Sequence, residues 1–249
     1  MSTETDLSHI PGFKRTMETE VESHDGREGR VLTFIKSRID GEPTPIPVKT
    51  LLDLMDEFSF QEDFLISIGD HKAKVFTDII HEKKPKTFVE FGGYLGYSAL
   101  LVAAAIKEYA SDGHIWSVEA DKDCAAIASE LITLAGLDHM ITVVLDKTTD
   151  AIPKLQGQGH FKNVDMLFLD HDESLYKPDF QTCLATGVIG TGTTIVADNV
   201  VRPGAPEYRR YVRELKGVQS KGVRGLITPG NFEDEFEVTE IVNADEARQ

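Results

Sequence analysis

Only two cysteines occur, Cys124 and Cys183, and they fall in no CxxC or Cys/His spacing. Neither a disulfide scaffold nor a zinc site is built from such a pair. No apolar stretch approaches the roughly 20 residues of a membrane helix, and the N-terminus lacks the basic and apolar regions of a signal peptide. Basic residues are scarce as well: 26 Lys and Arg face 42 Asp and Glu, a net charge of −16, with no local basic cluster. That field repels phosphate backbones and argues against nucleic acid as a partner. The expectation is a cytoplasmic protein in a reducing compartment, not bound to membranes, with a monomer as the default.

Residues 1–26 are rich in Ser, Thr, Glu and Asp and read as a mobile tail; residues 27–249 read as a single domain. Between Arg27 and Lys84 apolar residues recur at helical spacing in three segments: Val31, Phe34 and Ile35; Leu51, Leu52, Leu54 and Met55; Val75, Ile79 and Ile80. Pro43, Pro45 and Pro47 separate the first two helices. From Pro85 onward short apolar runs at 87–91, 114–119, 140–145, 164–169 and 193–197 alternate with chain long enough for crossover helices. In one of these helices Asp121 is the expected N-cap, Cys124, Ile127, Leu131 and Leu134 form the apolar stripe, and Gly136 ends it. After a helix at 207–215, runs at 222–227 and 236–242 flank Pro229, Gly230 and Asn231 and predict an antiparallel edge hairpin. The fold class is α/β, with a mainly parallel sheet covered on both faces. Trp116 and both cysteines read as core.

Ligands of an open α/β sheet bind beyond the carboxyl ends of its strands, and four strands here end in acids. The first runs through Glu90 into Gly92-Gly93-Tyr94-Leu95-Gly96-Tyr97-Ser98 before a helix. Glycine suits that turn whether or not a ligand approaches it. The second strand ends in Glu119, an acid placed to accept hydrogen bonds from a ribose diol. The pair points to a nucleoside-containing cofactor, either NAD or S-adenosylmethionine. Glu90 would repel a pyrophosphate and attract a cationic amino group. The third and fourth strands end in Asp170-His171 and Asp198-Asn199, which neighbouring parallel strands would bring together. Two carboxylates and an amide oxygen are hard ligands suited to magnesium, although each acid alone is also an ordinary cap or turn residue.

With these residues the chain resembles the catechol O-methyltransferases, magnesium-dependent enzymes that use S-adenosylmethionine. The resemblance covers most of the chain from about Arg30. It is most specific at Gly69-Asp70-His71-Lys72, 89–98, 123–127, 165–171 and 197–206. It implies a Rossmann-like methyltransferase fold: a mainly parallel seven-stranded sheet with an antiparallel C-terminal hairpin, helices on both faces and additional N-terminal helices. Position by position, it implies that Ile68, Glu90, Gly92, Tyr94 and Ser98 meet the amino-acid half of the cofactor. Glu119 would take the ribose, Ala120, Thr148 and Thr149 would lie near the adenine, and Asp170 and His171 would also lie beside the cofactor. It assigns magnesium to Asp170, Asp198 and Asn199. The phenolic substrate falls to Asn199, Asp172 and Pro203, with Ile66 and Phe64 as further apolar walls.

The chain departs from the family at one catalytic position. Where the family carries the lysine that takes the catechol proton stands Glu173, which becomes the candidate base; where it has an aromatic wall stands Asp172. The family's glutamate for the second hydroxyl aligns with Glu233, Asp234 or Glu235. A cation-acidified phenol could lose its proton to a carboxylate, while two acids in place of a lysine should disfavour anionic substrates. The expected activity is magnesium-dependent O-methylation of a catechol or related vicinal diphenol. The rivals are a silent S-adenosylmethionine-binding relative, an NAD-dependent oxidoreductase, and a methyltransferase for a larger phenolic acceptor.

Overall fold

Alternation along five short strands gives the sheet two apolar faces. In a computed structural model that describes residue 7 and residues 9–249, Phe88, Ile115, Met166, Phe168 and Val196 point to one side, and Val89, Trp116, Leu167, Leu169 and Ile195 to the other. The strands are β1 (Thr87–Phe91), β2 (His114–Glu119), β3 (Ile141–Leu145), β4 (Met166–Leu169), β5 (Thr194–Ala197), β6 (Val218–Ile227) and β7 (Phe232–Ile241). Their order is β3-β2-β1-β4-β5-β7-β6. The first five are parallel, and β7 joins antiparallel to β5 and to β6. This is the expected mixed seven-stranded sheet.

On the first face lie α2 (Arg27–Arg38), α3 (Val48–Gln61), α4 (Gly69–Lys83), α5 (Tyr97–Lys107) and α6 (Lys122–Leu134). Their shared core centres on Phe76, whose ring lies 4.5 Å from Phe168, 5.6 Å from Phe236 and 6.2 Å from Phe88. On the second face lie α7 (Thr148–Gly157), α8 (Tyr176–Thr186), α9 (Pro206–Glu214) and α10 (Ala244–Ala247). Asp121 caps α6 as expected, accepting the amides of Asp123 and Cys124 at 2.9 and 2.8 Å. Trp116, Cys124 and Cys183 are buried.

Two expectations need correction. The hairpin strands begin earlier than hydropathy suggests, because Gln219, Ser220 and Lys221, and then Glu233, Asp234 and Glu235, pair by backbone register rather than by apolar alternation. Between Ile10 and Gly26 the chain carries a helix and packed apolar residues rather than a free tail. Residues 1–6 and 8 lie outside the described residues, but α1 (Phe13–Thr19) packs onto the domain. Phe13 stacks on Phe64 at 4.8 Å, and a Cβ on Gly12 would strike the Ser59 carbonyl at 2.0 Å. Arg27 is wholly buried, paired with Asp25 and donating to the carbonyls of Val21 and Phe64, each at 2.6 Å. A polar composition hid two apolar anchors and one buried guanidinium.

Candidate active site

The parallel strands all present their carboxyl ends at one edge, and a cavity of about 640 Å³ opens there, within the size range of small-molecule sites. Of the sequence-predicted residues, Ile68, Gly92, Tyr94, Ser98, Glu119, Asp170, His171, Asp172, Glu173, Asp198, Asn199 and Pro203 line it, as do Phe64 and Ile66. Ala120, Thr148 and Thr149 do not, and Glu90 sits just behind it. Thr148 connects to the cavity indirectly: its hydroxyl donates to Asp179 at 2.7 Å, and Asp179 pairs with His171 Nε2 at 2.9 Å. None of Glu233, Asp234 and Glu235 reaches the cavity.

At the β1 and β2 end, Gly92 has φ +91°, and a Cβ there would meet the Asp170 carbonyl at 2.2 Å. The turn therefore requires glycine for its own packing. Glu119 accepts the amides of Tyr94 and Asp121, both at 2.7 Å, which fixes its carboxylate at the cavity wall. Glu90 is fully buried and accepts the hydroxyls of Ser117 at 2.5 Å and Ser98 at 2.7 Å. Burial pushes its pKa up to about 7 against those hydrogen bonds, and the charge of Glu119 adds to the rise.

The buried Glu90 carboxyl makes the stability of the fold depend on pH. Between the ordinary 4.5 and about 7 the unfolded chain ionises this carboxyl while the folded protein keeps it protonated. Its contribution to stability therefore falls across that window, by up to about 3 kcal/mol, and levels off above it. In Glu90→Gln that part of the pH slope is lost. Urea midpoints at about pH 5 and about pH 8 measure it: the wild type loses more stability between them than the variant.

At the β4 and β5 end the three oxygen donors come together as their strand register requires, with Leu169 beside Ala197. No donor among the described residues reaches the Asp170 carboxylate; burial, and then the charge of Asp198, hold its pKa well above the carboxylate range. Asp198 Oδ1 accepts the Asn199 amide at 2.7 Å and the Lys72 ammonium at 2.5 Å, leaving Oδ2. Asn199 has φ +56°. Its Nδ2 donates to the Arg202 carbonyl at 2.9 Å and to Asp234 at 3.2 Å, and no donor among the described residues reaches its Oδ1. Asp170, Asp198 and Asn199 line one cavity, and two carboxylates with an amide oxygen are a donor set whose chemistry suits a magnesium ion. His24, Asp121 and Cys124 also bring ligand atoms within 4.8 Å of one another. That set is different in kind: its aspartate already caps α6, and burial pushes the Cys124 thiol up.

Sequence reasoning missed the support behind this end. Lys72 bridges Asp198 and Asp234 with both carboxylates buried, and Asp234 also accepts the amides of Val201 and Arg202 at 3.0 Å. Burial disfavours the Lys72 charge, but Asp198 and Asp234 outweigh it and hold the pKa above the usual lysine value. The available signal was Lys72 itself, inside a family-like motif. Glu173 opens a short turn after β4, half-buried at the cavity, and burial raises its pKa.

With this geometry established, comparison with known proteins gives a consistent answer. A family model described as O-methyltransferase matches residues 49–211. A catechol O-methyltransferase of Bos taurus is 31% identical over 188 residues, 75% of this chain and 66% of that protein. A probable O-methyltransferase of Mycobacterium tuberculosis is 31% identical over 208 residues, 82% of this chain and 86% of that protein. A Homo sapiens transmembrane O-methyltransferase is 32% identical over 75% of this chain and 62% of its own length. The chain thus spans less than two thirds of the bovine and human relatives. No helix among the described residues is long and apolar enough to cross a membrane. The solved O-methyltransferase from Bacillus cereus, bound to SAH, shares the fold at a TM-score of 0.64 and 16% identity, over 94% of this chain and 98% of that one.

Proposed function

Because the chain belongs to the O-methyltransferase family, we propose that it transfers the methyl group of S-adenosylmethionine to one oxygen of a catechol or related vicinal diphenol, with magnesium as the resident cation. The observation that carries this reading is the convergence of Asp170, Asp198 and Asn199 in the same cavity as Glu119 and the glycine turn. S-adenosylmethionine supplies an electrophilic methyl, and a divalent cation in the oxygen set supplies a Lewis acid that acidifies a phenol and screens its charge.

The protein's own residues bind, orient and move a proton. Glu90, just behind the cavity wall and held by the hydroxyls of Ser98 and Ser117, is the candidate partner of the cationic amino group, and Glu119 that of the ribose diol. The acidic cavity complements a cofactor that carries positive charge at sulfur and nitrogen. Pro203, Phe64 and Ile66 offer apolar surface to a phenolic ring. Glu173 Oε is the candidate acceptor of the phenol proton, its raised pKa bringing it nearer the operating pH of a base. Holding nucleophile and methyl in line would supply a large part of the acceleration, as orientation does for reactions between two bound groups.

Labelled cofactor, magnesium and a panel of vicinal diphenols test the reading, and transfer to none of them would refute it. Glu173→Gln is expected to raise the pH of half-maximal rate. An unchanged profile removes Glu173 from the mechanism. Glu173 is also the one feature that favours a silent, cofactor-binding relative; such a protein would bind S-adenosylmethionine and transfer nothing.

A further inference from the structure

Two cations line the cavity among the described lysines and arginines, and they are differently placed. Lys72 is buried and committed to two carboxylates. Arg202 has an exposed side chain and forms no ion pair among the described residues, in a protein with a large surplus of acids. Its guanidinium lies over the Phe232 ring at 5.0 Å. Phe232 continues an aromatic wall through Phe13, 6.0 Å away edge-on, to Phe64. No acceptor among the described residues takes a hydrogen bond from the guanidinium, so its planar fork of N–H donors is available to pair with a carboxylate in bidentate fashion.

The backbone of Arg202 is fixed by the same network that holds the oxygen donors. Its amide donates to Asp234 at 3.0 Å and its carbonyl accepts Asn199 Nδ2 at 2.9 Å. The cation is therefore anchored three residues from the candidate ligand Asn199 rather than carried on a loose loop. Of the two acids expected to repel an anionic substrate, Asp172 has Oδ1 tied to the amide and hydroxyl of Ser174 at 2.9 and 2.6 Å.

We infer that Arg202 receives the carboxylate of an aromatic acid, so that the site selects vicinal diphenols carrying an acidic group, the dihydroxybenzoate and dihydroxycinnamate class, over neutral catechols. The inference rests on the diphenol reading above. It assigns the acceptor's ring to the wall of Pro203 and Phe232, its hydroxyls to the oxygen-donor end and its carboxylate to the guanidinium.

The test compares kcat/KM for 3,4-dihydroxybenzoate and for 4-methylcatechol in wild type, Arg202→Met and Arg202→Lys. Because the side chain is exposed and only its backbone is clamped, both variants should fold. In Arg202→Met the benzoate-to-methylcatechol ratio is expected to fall by roughly tenfold or more, chiefly through the KM of the benzoate. Lysine should restore part of the ratio, since it keeps the charge and loses the fork. The same ratio in Arg202→Met as in wild type, with transfer intact, overturns the inference alone. No transfer to either diphenol by the wild type overturns the diphenol reading and the inference with it.

Discussion

Asp170→Asn is expected to lower magnesium-dependent transfer by more than roughly 100-fold, beyond the loss typical of a residue that only supports a metal ligand, while S-adenosylmethionine still binds. The substitution is nearly isosteric and removes one anionic ligand from the proposed set. No protein donor among the described residues depends on that carboxylate, so nothing is left unpaired. It also removes a charge conflict, since the Asp198 charge acts against ionisation of Asp170. The variant without metal should therefore be no less stable than wild type in urea. Asp198→Ala would confuse the two effects, because it also removes one of the two carboxylates that hold the buried Lys72 ammonium. An unchanged rate in Asp170→Asn with magnesium would remove this residue from the cation site.

Lys72→Met is expected to destabilise the fold by about 3–5 kcal/mol at neutral pH, the usual result of removing one partner of a buried ion pair. Lys72 is 1% exposed and meets Asp198 at 2.5 Å and Asp234 at 2.6 Å. Without it both acids are buried with no counter-charge, and the Asp198 pKa, already raised by burial, loses the cation that holds it down. A raised carboxyl pKa costs stability as pH increases, so the deficit should be largest at neutral and alkaline pH and shrink as the solution becomes acidic. Urea unfolding across pH measures both the size and the sign. A variant as stable as wild type at neutral pH would mean that the triad contributes nothing net.

The strand-terminal acids were legible in the sequence because two rules converge on them. Short continuous apolar runs mark β1, β2, β4 and β5, and chemistry in such sheets gathers beyond their carboxyl ends. That reasoning alone places Glu119, Asp170, Asp198 and Asn199 at one edge, and the family resemblance adds Ile68 and Pro203. Lys72 and Asp234 were not legible as partners, since 162 residues separate them and only the approach of α4 to the C-terminal hairpin joins them. Arg202 lies within a family-like motif, but its significance depends on Phe232 in that hairpin. Thr148 and Thr149 were positioned by resemblance, and the chain places Thr148 against Asp179, a helix residue with no motif to mark it. The Phe13 helix was hidden because composition averages over the few side chains that anchor it.

One titration tests the central claim most directly: S-adenosylmethionine into the purified protein, then 3,4-dihydroxybenzoate with magnesium and again with a chelator. The account predicts saturable cofactor binding, followed by diphenol binding that requires the divalent cation. Diphenol binding of equal strength in the chelator, or no binding of the cofactor, would contradict it.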